Sequence, residues 1–95
     1  MLDVIHQALR RGDAAAAERA AREGLSALPS NPDLHHLLAL ALMQQRRLAD
    51  AQNALEQALM LAPERAAFHV TRAQFAMATA EVPAARADLQ RAIQH

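Results

Sequence analysis

The sequence predicts an all-α fold, a solenoid built from three consecutive antiparallel helical hairpins. Hydrophobic residues make up 53% of the chain, but Ala supplies half of them and only 2% of residues are aromatic. Ala and Leu favour helix, whereas the β-branched and aromatic residues that favour strands are scarce. Pro29 and Pro63 also recur at a spacing that suits one helical hairpin, which indicates an internal repeat that stacks into a solenoid.

Further pairs of similar residues support this period. One match would mean little in an Ala-rich chain, whereas many matches at a single offset define a repeat. Besides the two prolines, identical residues that lie 34 positions apart include Ala17 and Ala51, Leu25 and Leu59, His35 and His69, Met43 and Met77, Leu55 and Leu89, and Ala58 and Ala92.

Each period divides into two helices, and Gly, Asn and Pro mark their ends. Gly12 suits the residue after a helix, where a left-handed conformation carries no Cβ penalty. Asn31 followed by Pro32 is typical of a helix start, as is Pro83 at a first turn. The six predicted helices are Leu2–Arg11, Ala14–Ala27, Pro32–Gln45, Leu48–Leu61, Glu64–Thr79 and Pro83–Gln94.

The middle period resembles the tetratricopeptide repeat. The residues that keep the spacing of that family's pattern are His35, Leu38, Ala39, Leu42, Ala51, Leu55, Ala58 and Pro63. Leu, Ala and His replace most of the family's aromatic residues. The resemblance implies a right-handed α-solenoid forming a single domain over residues 1–95, with repeats at approximately 1–31, 32–65 and 66–95.

Composition excludes several classes of function. The ten acidic and ten basic residues balance, the basic residues are all Arg, and the chain contains no Cys. Disulfides and Cys-ligated metals are therefore excluded, and neither a nucleic-acid footprint nor a polybasic membrane surface is expected. The longest apolar stretch, Leu37–Met43, is too short to span a bilayer. We expect a soluble cytoplasmic protein, and the absence of Lys beside abundant Ala and Arg favours a bacterial source.

The five histidines do not form a metal-binding pattern. His35 and His36 are adjacent, so their side chains diverge by about 100° on a helix. His35 and His69 align with a large packing residue of the family pattern, which gives them a structural role. No His-Glu-x-x-His spacing, Gly-x-Ser-x-Gly elbow or phosphate-binding Gly-rich loop occurs. We therefore expect no metal, no cofactor and no enzymatic activity, and surface ion pairs such as Glu18 with Arg22.

The third predicted helix is apolar around its circumference, so it is buried or faces a ligand on its second side. Leu37, Leu40 and Met43 are expected to point away from the core and to tolerate polar replacement. The resemblance implies that the first helix of each hairpin lines a concave groove for a protein or peptide partner. The predicted groove residues are Leu2, His6, Leu9, His36, Leu37, Leu40, Met43, Gln44, Val70, Gln74 and Met77.

Four interpretations of this groove remain open. It receives a partner helix or an extended segment, it joins copies of the chain into a homo-oligomer, it is filled by a missing segment, or it is simply apolar. The domain is alternatively the N-terminal part of a longer bacterial enzyme, such as a sulfotransferase or glycosyltransferase fusion. Binding of acidic chaperone C-terminal tails is not expected. The residues at the corresponding clamp positions provide no cationic or amide grip on a carboxylate; they are Leu2, His6, Leu37, Ala67 and Thr71.

Overall fold

The fold is all-α, an arrangement of helical repeats, in a computed structural model that describes residues 2–80. No strand occurs in this range, and none of its helices is long and apolar enough to cross a membrane. The described helices are α1 Leu2–Arg10, α2 Ala14–Ala27, α3 Pro32–Gln44, α4 Leu48–Leu61 and α5 Ala66–Ala80.

Most of the predicted helix boundaries are confirmed. The bounds of α2 and α4 are as predicted, and α1 and α3 each end one residue earlier. The fifth helix begins at Ala66 and not at Glu64 as predicted. Pro63 and Glu64 belong to a turn before it, in which the Arg65 amide donates a hydrogen bond to the Ala62 carbonyl. The sixth predicted helix, Pro83–Gln94, lies outside the described residues.

Side-chain caps explain where two of the helices start. The Asn31 side-chain oxygen accepts hydrogen bonds from the amides of Asp33 and Leu34, and Pro32 occupies the first turn. The Asp13 carboxylate accepts a hydrogen bond from the Ala16 amide at the start of α2. Both caps satisfy amides that a helix leaves without an internal partner.

The turns that end α1 and α3 share one geometry. Gly12 has φ 77°, and Arg46, at the equivalent position of the next period, has φ 61°. In the first turn the Asp13 amide bonds the Ala8 carbonyl, and in the second the Arg47 amide bonds the Leu42 carbonyl. This pattern closes a helix through one left-handed residue. The repeat therefore preserves the turn even where Arg replaces Gly.

The core is centred on α3, which contacts each of the other four described helices. Leu34, Leu38 and Leu42 of α3 are buried, and Leu55 of α4 packs into the same cluster. The alanines that face this cluster are fully buried and allow the helix backbones to approach closely; they are Ala17, Ala21, Ala39, Ala41 and Ala51.

Two histidines fasten the loops between hairpins. His35 Nε2 lies 2.8 Å from the Pro29 carbonyl oxygen, and His69 Nε2 lies 2.6 Å from that of Pro63. Because a carbonyl oxygen can only accept, each Nε2 donates. The predicted structural role of these histidines is confirmed, but it is a hydrogen bond to the loop and His69 is exposed. The repeated bond ties each hairpin to the loop before it.

Candidate partner-binding surface

The described helices form two layers. One layer contains α1, α3 and α5, in which α3 contacts both neighbours; the other contains α2 and α4, whose backbones lie farther apart in the described residues. The closer spacing of α1, α3 and α5 indicates that the stack curves toward their side. We call the surface of α1, α3 and α5 on that side the inner face.

The predicted groove residues differ widely in accessibility. One is buried, Leu37. Five are half-buried: Leu2, Leu9, His36, Leu40 and Met43. The other five are exposed: His6, Gln44, Val70, Gln74 and Met77.

The expectation that Leu37 is accessible was wrong, since its side chain is only 2% exposed. It belongs to the core cluster that also contains Ile5 and Ala8 of α1. Leu40 and Met43 are half-buried and pack against the same cluster, so they do not point fully away from the core as expected; their tolerance of polar replacement stays a prediction. The second apolar side of α3 exists because α1 and α5 pack against this helix from either side.

His36 lies at the junction between α3 and α5. Its Nε2 is 2.6 Å from the Thr71 hydroxyl oxygen, and its ring centroid is 4.8 Å from that of Phe68. Thr71 and Phe68 are 4% and 1% exposed. The burial of this half-buried imidazole lowers the pKa of His36, because it disfavours the charged form.

An ion pair spans the same junction. Arg65 Nη1 donates to Asp33 Oδ1 at 2.5 Å, and the Arg65 guanidinium lies 5.1 Å from the centroid of the Phe68 ring. Both charged side chains remain partly exposed, so the pair contributes about 1 kcal/mol at most. Its main effect is to join the residue before α5 to the first turn of α3.

Gln44 connects α3 to the end of α1. Its side-chain amide donates to the Leu9 carbonyl at 3.2 Å, and the Gly12 amide donates to the same oxygen. Gln44 therefore has a structural partner even though it is exposed. This contact fixes α1 beside α3 on the inner face.

The accessible apolar part of the predicted surface is on α5. Val70 is 57% exposed and Met77 is 70% exposed. Their spacing of seven residues places them on one side of the helix, and Gln74 lies between them on that side. The equivalent residues of α3, His36 and Met43, are half-buried.

The opposite side of the molecule carries a hydrogen-bonded ionic network. Glu18 accepts from Arg22 at 2.9 Å, which confirms the predicted ion pair, and from Gln45 at 2.9 Å and Arg47 at 3.1 Å. The hydrogen bond from Gln45, followed by that from Arg22, lowers the pKa of Glu18. These donors satisfy the Glu18 carboxylate. Through Gln45 and Arg47, the carboxylate links α2 to the end of α3 and the start of α4.

Sequence reasoning missed three residues of the α3–α5 junction. The family pattern places Thr71 only at a clamp position, and it assigns neither Phe68 nor Arg65 to the surface. Phe68 could have been found from the period, since it occupies the position equivalent to Leu34 in the next repeat. Among residues 2–80, no three His, Asp or Glu side chains approach closely enough to hold a metal ion.

Comparison with known protein families gives a match to part of the chain. A family model of the tetratricopeptide repeat matches residues 32–65, the segment that contains α3, α4 and the turn after them. No curated protein and no solved structure matches the chain significantly. Repeats of this kind generally mediate protein–protein interaction. The match itself covers the middle repeat, and together with the helical-hairpin architecture around it supports the assignment of the chain to the tetratricopeptide repeat family.

Proposed function

We propose that the chain is a protein-interaction scaffold whose inner face receives a helix or an extended segment of a partner protein. The observation that carries this proposal is the exposure of Val70 and Met77, two large apolar side chains on one side of α5. Exposed apolar surface of this kind is typical of interaction sites. Met also suits a surface that adapts to its partner, because its side chain is flexible and polarisable.

Polar groups lie on the same face and would orient the partner. Gln74 is exposed between Val70 and Met77, and its amide both donates and accepts hydrogen bonds. His6 and Gln44 are exposed on α1 and α3. The mixture of apolar contacts with neutral hydrogen-bonding groups suits a partner segment with few charges at the contact. Leu37, by contrast, contributes only to the core beneath the face.

The test is a double substitution, Val70→Glu with Met77→Glu, compared with a control that places two charges elsewhere. The control is Val4→Glu with Met60→Glu, whose side chains are 60% and 75% exposed and belong to neither the predicted surface nor the core. Substitutions at exposed positions usually change stability by about 0.5 kcal/mol or less. Both doubles should therefore keep the helical spectrum and the melting midpoint.

Binding is measured by capture from lysate of the source organism, with the captured proteins quantified by mass spectrometry. A specific partner should be retained by the wild type and by the control double and lost by the α5 double. Sedimentation velocity at several concentrations identifies a partner that is a second copy of the chain. If the α5 double folds and retains every interaction, the inner face is not the binding surface. If it unfolds, Val70 and Met77 are packing residues and the proposal is wrong.

A further inference from the structure

We propose that the cleft between α4 and α5 is the docking site of residues 83–94 of the same chain, held there by an ion pair of Arg72 with Asp88. The cleft has a volume of about 640 Å³. Apolar residues of both helices line it, and Arg72 lies beside them; the apolar residues include Leu55, Leu59, Phe75 and Ala76. The docking stands whether or not the inner face binds a partner.

The preceding period contains the same surface, and there a helix covers it. The residues that lie 34 positions before Leu55, Leu59, Arg72, Phe75 and Ala76 are, in order, Ala21, Leu25, Leu38, Ala41 and Leu42. Helix α4 packs over this surface of α2 and α3, since Ala51 belongs to the same core cluster and Leu42 is only 1% exposed. Because α4 is the segment that follows α3, the period assigns the same place beside α5 to residues 83–94.

Residues 83–94 also repeat the buried side of α4. That side consists of Ala51, Ala54, Leu55 and Ala58. The residues 34 positions later are Ala85, Asp88, Leu89 and Ala92. All but Asp88 are identical to their equivalents, so the segment carries an apolar stripe with helical spacing. The charge of Asp88 stands where α4 has an alanine that is 6% exposed.

The cleft contains a matching exception. Ala54 and Leu38 belong to one core cluster and border the same small cavity, so α4 and α3 meet at these two positions. In the next period, Asp88 stands in place of Ala54 and Arg72 in place of Leu38. Two apolar neighbours are thus replaced together by an acid and a base. An ion pair between them offsets the cost of placing the carboxylate of Asp88 against the apolar lining.

The position of Arg72 suits this role. Its side chain is exposed, and none of the ion pairs described within residues 2–80 includes it, although Glu56 also borders the cleft. Val70 lies two residues from Arg72, which places the two side chains about 160° apart around α5. The cleft and the inner face are therefore on opposite sides of this helix. Docking of residues 83–94 fills the cleft and leaves Val70 accessible to a partner.

The first experiment uses the absence of Cys from the chain, because two introduced cysteines then have no competing thiol. The full chain with Arg72→Cys and Asp88→Cys is compared with a control that has Val70→Cys and Asp88→Cys. The first pair removes both charges together, so neither is left unpaired. A disulfide requires Cα atoms about 4.4–6.8 Å apart, so under mild oxidation of dilute protein we expect the 72–88 bond to form at least about tenfold faster than the 70–88 bond.

Non-reducing electrophoresis and mass spectrometry identify the product. An intramolecular 72–88 disulfide that loses its rate advantage in urea supports the docking. Equal rates for the two pairs in native buffer would overturn it. A disulfide-linked dimer as the main product at low concentration would place residues 83–94 of a second copy in the cleft, which also overturns docking within one chain.

A charge-reversal cycle tests the ion pair, and it decides alone if the cysteine variants do not fold. Arg72→Glu and Asp88→Arg each bring like charges together, and each should raise the unfolding constant measured in urea about two- to fivefold, as expected for a partly exposed pair. The double reversal should return this constant close to that of the wild type, and high salt should diminish the differences. If the effects of the two reversals add in the double variant, Arg72 and Asp88 do not interact and the proposed pair is wrong. If a reversal variant does not fold, the rates of the two cysteine pairs decide the docking.

Discussion

Helices α3 and α5 occupy equivalent places in successive periods, yet their burial differs greatly. Leu38 is 6% exposed, whereas its equivalent in the next period, Arg72, is exposed. Leu42 is 1% exposed, and its equivalent Ala76 is exposed. Among the described residues, α3 contacts four helices while α5 contacts only α3 and α4. The period therefore fixes where a residue points, and the neighbouring helices decide whether it is buried.

The largest expected effect comes from giving α3 the residue of α5. Leu38→Arg should unfold or severely destabilise the chain, because a charge without a partner in the core costs about 3–5 kcal/mol. The reciprocal change, Arg72→Leu, should alter the free energy of unfolding by about 0.5 kcal/mol or less, since its position is exposed. Urea unfolding followed by circular dichroism measures both. Similar changes in the free energy of unfolding for the two exchanges would contradict the difference in burial between α3 and α5.

A smaller effect is expected where only apolar contacts are removed. Leu37→Ala should destabilise the chain by about 2–5 kcal/mol, because it leaves a cavity between α3 and its neighbours. Val70→Ala on α5 should cost about 0.5 kcal/mol or less, since Val70 is 57% exposed. The midpoints of thermal and urea unfolding of the two variants measure this difference in stability. A neutral Leu37→Ala would restore the original expectation that this residue belongs to an open groove.

Local signals in the sequence predicted most of the helix boundaries. Asn31, Pro32 and Gly12 act within a few residues of their own position, so their effect does not depend on the rest of the fold. The repeat was equally accessible, because pairs at one offset are visible without knowing any contact. The family match at residues 32–65 confirms the tetratricopeptide assignment for the middle period.

The burial of the candidate surface could not be predicted in the same way. Whether the second side of α3 faces a partner or another helix depends on where α1 and α5 pack, and both choices give an apolar sequence. The bond of His36 to Thr71 spans 35 residues, and the ion pair of Asp33 with Arg65 spans 32. Such pairs arise from the stacking of the hairpins, and no local pattern identifies them.

The smallest effects concern the turns after α1 and α3, where the geometry is kept and the residue differs. Left-handed backbone costs a residue with a Cβ about 1–2 kcal/mol. A Cβ added at Gly12 would meet no atom within 4 Å. Gly12→Ala should therefore lower the free energy of unfolding by about 1 kcal/mol through backbone conformation alone. Arg46→Gly should raise it by less than about 1 kcal/mol, because the greater freedom of Gly in the unfolded chain offsets part of the relief.

Arg46→Ala is the matched control for the second turn. It removes the exposed Arg side chain but keeps a Cβ on the left-handed residue, so stability should remain close to that of the wild type. If Arg46→Ala stabilises the chain as much as Arg46→Gly does, the gain comes from the lost charge and not from the backbone. If neither change at Arg46 has an effect while Gly12→Ala is destabilising, the two turns do not share one conformation in solution. The backbone of the two turns would then differ, although their backbone geometry is the feature that the repeat preserves best.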